Sequence, residues 1–383
     1  MQEYSPADKK LIALVSNSAW SLYNFRLDII RYLKTIHRVM VIAPDDEYSI
    51  LLEQEGCIYM PIRFNNRTEN PFKDFDLYYQ LKKIYREQKP DFIFHYVIKP
   101  NIYGSFAASA LSIQSVAVVT GLGYSFAKHN WLNRVVRLLY KKALRDVREI
   151  WFLNNEDAGI FIKGSIVNIE KTKVLPGEGI NTDYFSPDSI QVGRSNSDFT
   201  FLMSARLLRS KGIAVFADAA RIIRKKNYSA NFELIGFFEK KHPDSITDEE
   251  LKKWEREGII IYKGFAKDVR PFLKNADCFV FPSFYNEGIP RSLLEAASME
   301  LPILTSRNRG CKEVVSDGFN GYLCNLNDPF DLADKMERII RLPEEERKKM
   351  GSNGRELAIE KFNINRVIEE YKGTLKFLQK DNS

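Results

Sequence analysis

Cysteine is scarce in this chain, and the four present (Cys57, Cys278, Cys311 and Cys324) form no CxxC pair. That excludes a disulfide framework and a zinc ribbon, and predicts a protein of the reducing cytosol. Long apolar runs are missing too: no stretch approaches the ~18 residues that cross a bilayer as a helix. The polar opening, Met1 to Lys10, lacks the basic and apolar regions of a secretory signal, so the expected location is cytoplasmic. There is no low-complexity tract and no RNA- or DNA-binding motif. Acids and bases are mixed throughout, which argues against a nucleic-acid partner.

What is present is an ordinary globular balance, with 44% hydrophobic and 28% charged residues in 383. That length suits two cores better than one. The net charge of +7 would favour an anionic surface, so peripheral contact with a membrane face stays open.

Short β-branched and aromatic runs alternate with longer helical patterns. In the first half they are Leu11 to Ser16, Val39 to Ala43, Asp91 to Val97, Ser115 to Thr120 and Glu149 to Leu153. After a polar stretch around Ile180 to Asp198, read as a linker, the alternation restarts. Its strands are Phe199 to Ser204, Phe232 to Gly236, Ile259 to Gly264, Cys278 to Pro282, Pro302 to Ser306 and Gly321 to Cys324. Continuous apolar strands separated by helices predict parallel sheets covered on both faces, hence two Rossmann-like, doubly wound α/β domains. The boundaries expected are 1–186 and 187–365, with a final helix, 366–383, crossing back to the first domain.

Ligands of open parallel sheets bind beyond the carboxyl ends of the strands. In the second half those positions carry Arg206 and Lys211, then Gly236, then Phe265, then Glu287, Gly288, Ile289, Pro290 and Arg291. Proline suits the first turn of a helix, whose free N–H groups and positive dipole end attract an anion. A guanidinium and an ammonium nearby would neutralise a diphosphate. Glu287 and Glu295, eight positions apart, fall near one face, where two carboxylates meet one extended ligand. Taken alone, such a pair equally fits a helix cap and a solvated face.

The run Glu287-Gly-Ile-Pro-Arg-Ser-Leu-Leu-Glu295, with Ala205-Arg206 and Lys211-Gly212, resembles the two-glutamate and phosphate motifs of retaining glycosyltransferases of family 4 (group 1). Lys263 to Arg270, Asn275 to Ser283 and Asp317 to Tyr322 also look like that family's C-terminal domain. The resemblance implies the GT-B fold, two domains facing a cleft, and retaining transfer of a hexose or N-acetylhexosamine from a UDP-sugar without a metal. It implies that Arg206 and Lys211 hold the diphosphate, that Glu287 contacts the sugar and that Glu295 binds the ribose. Gly288, Ile289 and Pro290 would present backbone groups, and Gly236 and Phe265 would accommodate the nucleotide. Within the family the chain looks most like transferases that extend undecaprenyl-diphosphate-linked sugars for bacterial capsule, O-antigen or glycoprotein assembly. That implies a lipid-linked saccharide acceptor.

In the first half, Ser16 to Arg26 occupies the place of the family's glycine-rich loop but holds no glycine; Ser18 and Ala19 are the small residues expected to let backbone approach the sugar. His95, at a strand end, is a candidate catalytic residue. Glu178, in Pro176-Gly-Glu-Gly-Ile180, reads as an acceptor contact or a hinge turn. Asp74-Phe-Asp76 is formally a metal-binding DxD, but it lies in a helical pattern, and the expected metal ligands are none. The segment Lys128 to Lys142 interleaves basic and apolar residues at helical spacing, as a membrane-surface helix does and as any amphipathic helix on a sheet does. Two other readings share the architecture or the charge: a UDP-sugar 2-epimerase, and a non-catalytic basic binding protein.

Overall fold

A computed structural model describes residues 9–63, 74–122, 131–191, 193, 198–239, 242–285 and 288–378. It divides into two compact units, Met1–Glu178 with Ile364–Ser383, and Gly179–Asn363.

The first unit is built on a parallel sheet. Its strands among the described residues are β1 (Leu11–Val15), β2 (Arg38–Ala43), β3 (Ile58–Pro61), β4 (Phe92–Tyr96), β5 (Ser115–Val119), β6 (Glu149–Phe152) and β7 (Thr172–Val174). They run in the order β3-β2-β1-β4-β5-β6-β7. Every residue of β1, β4 and β5 is buried, as the unbroken apolar runs require of central strands covered on both faces. The sequence reading missed β3 and β7. Both are short edge strands with partly exposed residues, so neither carries a continuous apolar run.

The second unit repeats the design with β8 (Phe199–Ser204), β9 (Ala230–Ile235), β10 (Ile261–Tyr262), β11 (Cys278–Phe281), β12 (Ile303–Ser306) and β13 (Gly321–Cys324). Their order is β10-β9-β8-β11-β12-β13, all pairs parallel. Chain order reverses between β8 and β11. That is the switch point at which loops leave opposite ways and open a crevice.

The unit boundaries fall at Glu178 and Asn363, not at 186 and 365. Ile180 and Phe185, expected in a linker, are buried in the second unit's core beside Phe279 and Leu294. The last helix, Ile364–Leu375, returns to the first unit. Its Ile364, Val367, Tyr371 and Leu375 recur at three- and four-residue spacing and are buried against Phe94 and Trp151.

Candidate active site

In the second unit, four loops meet at the carboxyl edge of the sheet. After β8 the chain makes a tight turn, Arg209–Lys211, and enters the helix Ile213–Lys225 through Gly212 at φ 83°. A side chain there would suffer twice, from the left-handed backbone and from a Cβ 2.1 Å from the Pro282 carbonyl oxygen. This close approach locks the β8 loop onto the β11 loop. Lys211 is consequently 8% exposed, its ammonium 5.2 Å from the Tyr285 ring centre and 5.7 Å from that of Phe281.

Arg206 lies on the same loop, more exposed, with its guanidinium 2.9 Å from a Glu239 carboxylate oxygen. Gly236, after β9, is pressed so near Ala205 that a Cβ would lie 1.9 Å from that carbonyl oxygen. Its N–H donates to Gly264 O at 3.0 Å and its carbonyl accepts from the Tyr262 hydroxyl at 2.7 Å, so its backbone serves the loop itself. Phe265 stands 48% exposed, edge-on to Phe237 with ring centres 5.8 Å apart. An exposed ring braced by another offers an apolar face to a planar group.

Pro290 sits at the N-cap of the helix Arg291–Ser298, one position before the first turn in which the sequence reading put it. Among the described residues no side chain caps this helix and no acid lies in its first turn. Its positive end is therefore not neutralised by its own residues. Gly310 supports the approach to it: a Cβ there would be 1.2 Å from Gly288 O, so the Gly288-Ile289 backbone is backed by bare main chain. One turn along, Glu295 accepts from Arg291 Nε at 3.1 Å. Burial pushes the Glu295 carboxyl above its ordinary range, and the Arg291 charge pulls against that shift. Glu287 lies outside the described residues.

Thus Arg206, Lys211, Gly236, Phe265, Gly288, Ile289, Pro290, Arg291 and Glu295 all belong to loops or a helix start on one edge of one sheet. The arrangement combines two cations with a helix N-terminus, a carboxylate and an exposed aromatic ring. It is equipped to hold an anion joined to a hydroxylated, planar group.

Sequence reasoning missed two acids here. Glu239 faces Arg206, and Asp244 accepts from the Ser210 backbone N–H at 3.0 Å and from the Ser210 hydroxyl. Both lie in the β9 loop, where loop-to-loop pairing leaves no periodic signal in the sequence.

The first unit corrects one expectation. His95 does not face a crevice: it is fully buried, with Nε2 3.0 Å from the Tyr85 hydroxyl and Nδ1 3.4 Å from Ser105 Oγ. A Cβ on Gly104 would lie 2.4 Å from its ring. Burial lowers its pKa to about 3, so the imidazole is neutral and structural. Ser18 caps the helix Ala19–Ile36 by accepting from Ser21 N at 3.2 Å, and Ala19 is fully buried.

Glu178 is the residue at which the chain leaves the first unit. It pairs at 2.7 Å with buried Arg26, whose guanidinium stacks 4.1 Å from the Tyr96 ring centre. The DxD acids are engaged locally, Asp74 by Lys99 at 2.8 Å and Asp76 by Gln80 at 2.6 Å. Among the described residues, no cluster of three His, Cys, Asp or Glu side chains is placed to hold a metal. The helix Trp131–Ala143 turns Tyr140 and Ala143 into the core with Val136 and Leu139 packed beside them, and leaves Arg134, Leu138, Lys141 and Lys142 exposed. Among the described residues no helix is long and apolar enough to cross a membrane.

Residues 186–357 match the family model of glycosyl transferases group 1, and residues 11–154 match that of glycosyl transferase 4-like domains. The N,N'-diacetylbacillosaminyl-diphospho-undecaprenol alpha-1,3-N-acetylgalactosaminyltransferase of Campylobacter jejuni is 30% identical over 94% of this chain and 96% of its own. The UDP-Gal:alpha-D-GlcNAc-diphosphoundecaprenol alpha-1,3-galactosyltransferase of Escherichia coli is 28% identical over 80% of each. Among solved structures, Anabaena HepE in complex with UDP-glucose superposes with a TM-score of 0.79 at 19% identity, covering 96% of this chain and 99% of that one, which shows the shared GT-B fold.

Proposed function

Since the chain belongs to the group 1 glycosyltransferases, we propose that it moves a hexose or N-acetylhexosamine from a UDP-sugar, with retention and without a metal, onto a saccharide carried by undecaprenyl diphosphate. The observation that carries the donor reading is the convergence of Lys211, Arg206 and the start of helix Arg291–Ser298 on one sheet edge, with Glu295 one turn further on. The diphosphate is held by the two cations and the helix N-terminus, the ribose hydroxyls by Glu295, and the uracil against Phe265. Glu287 orients the sugar.

In this reading the acceptor hydroxyl attacks the anomeric carbon on the face from which the diphosphate departs, and a departing phosphate oxygen takes its proton. The charge growing on that diphosphate is what Arg206, Lys211 and the helix dipole stabilise. The acceptor class is drawn from the names of the Campylobacter and Escherichia relatives. The exposed basic face of helix Trp131–Ala143, with Leu138 60% exposed among its cations, is read as the side turned to anionic lipid.

The test is UDP release from a panel of UDP-hexoses and UDP-N-acetylhexosamines, with and without membranes bearing lipid-linked saccharides. Release that needs both one donor and the acceptor, and is lost in Glu287→Ala and Lys211→Ala, supports the reading. Isomerised UDP-sugar without acceptor would replace it with the epimerase.

A further inference from the structure

We propose that Asp244 is a positioning residue for the donor site, holding the phosphate loop and the Glu287 loop in register through Ser210. This rests on the donor-site reading above.

After β9 the chain doubles back along the phosphate loop. Leu207 N donates to Phe237 O at 3.0 Å, Ile246 N to Leu207 O at 2.9 Å and Arg209 N to Asp244 O at 2.8 Å, with an antiparallel bridge between Leu208 and Ser245. This pairing delivers one Asp244 carboxylate oxygen to Ser210, where it accepts from both the N–H and the hydroxyl. Asp244 is itself fixed, since its N–H donates to His242 Nδ1 at 3.1 Å. Ser210, 5% exposed, then acts as a hub. Its carbonyl accepts from Phe284 N at 2.9 Å, Tyr285 N at 3.1 Å and Ser283 Oγ at 3.2 Å.

One carboxylate thereby fixes the residue just before Lys211, and that residue's carbonyl fixes the chain just before Glu287. The ties run through three strand-end loops, those after β9, β8 and β11. Charge and geometry pull in opposite directions here. An acid one residue from Lys211 weakens anion binding by its charge alone, so a gain from Asp244 can come only from the positions it imposes.

The experiment measures calorimetric UDP binding and backbone hydrogen exchange of Phe284 and Tyr285 on the full chain, in wild type, Asp244→Ala, Asp244→Asn and Ser210→Ala. Asp244→Ala is expected to weaken UDP binding about tenfold or more and to speed exchange of both amides, as loss of a charged, half-buried acceptor for two donors implies. Asp244→Asn keeps an acceptor oxygen without the charge and is expected within about threefold of wild type. Ser210→Ala, which drops only the hydroxyl bond, gives a smaller loss of the same sign and serves where Asp244→Ala does not fold. UDP binding in Asp244→Ala equal to or tighter than wild type, or weakened with exchange at Phe284 and Tyr285 unchanged, overturns the inference while leaving the donor site standing. Wild type that binds no UDP overturns the donor-site reading and the inference together.

Discussion

In the proposed donor site, Glu295 carries two conflicting demands. Burial favours its neutral form, raising its pKa above the ordinary 4.5. Binding ribose hydroxyls needs the carboxylate as acceptor. UDP affinity should therefore fall as pH is lowered from 8 towards that raised pKa, and calorimetry from pH 8 to 5 should show Glu295→Gln both weaker at pH 8 and flatter. The stability consequence has the opposite sense: the neutral acid's contribution is full below 4.5 and is lost as pH rises through the raised value. Glu295→Gln should consequently melt higher than wild type at neutral pH while binding UDP less well. His95 behaves in reverse. Its pKa is depressed from 6.5 to about 3, so the stability it gives is present above pH 6.5 and is lost as pH falls towards 3. The slope for such a group is at most about 1.4 kcal/mol per pH unit. Urea unfolding at pH 7 and pH 5 should show a smaller difference in His95→Gln than in wild type.

Among the elements, glycines separate packing from function. Gly310→Ala drives a Cβ into Gly288 O, and must displace the backbone that leads to Pro290. We expect UDP binding to be lost while most of the fold remains. Gly159→Ala, inside the helix Asn155–Lys163 with nothing within 4 Å of the new Cβ, should instead raise stability by about 0.5–1 kcal/mol and leave binding alone. Melting temperature and calorimetry on the two variants check both. The elements were also where the sequence was most and least legible. Ile12 to Val15 and Phe92 to Tyr96 announce themselves because central parallel strands are apolar on both faces. Ile58–Pro61 and Thr172–Val174 do not, being edge strands with exposed residues. The edge rule put Arg206, Lys211, Gly236 and Phe265 beyond strand ends, where the structure has them, but it misled at His95, which pairs with Val15 and Ala117 inside the sheet, where side chains enter the packed layers. Asp244 and Glu239 were invisible because their partners are set by the folding of one loop upon another.

For the whole molecule, the final helix is an integral part of the first unit. Ile364, Val367, Tyr371, Leu375 and Leu378 lie in a core with strands from the other end of the sequence, and the Tyr371 hydroxyl meets that of Tyr96 at 2.7 Å. A chain ending at Asn363 should leave that face bare and aggregate in size-exclusion chromatography. Residues 179–363 alone, with their own sheet and cores, should remain monodisperse and bind UDP by calorimetry. The second unit starts and finishes at one spot: Ile180 N–H donates to Phe362 O at 2.8 Å, and Asn363 Nδ2 to Thr182 Oγ1 at 2.7 Å. In genetic terms it is a cassette with its two ends sewn together, inserted into an otherwise continuous host. Exchanging residues 179–363 for the matching segment of a relative would change two peptide junctions and leave the host's sheet untouched, a route by which one first unit can be refitted with a different second unit.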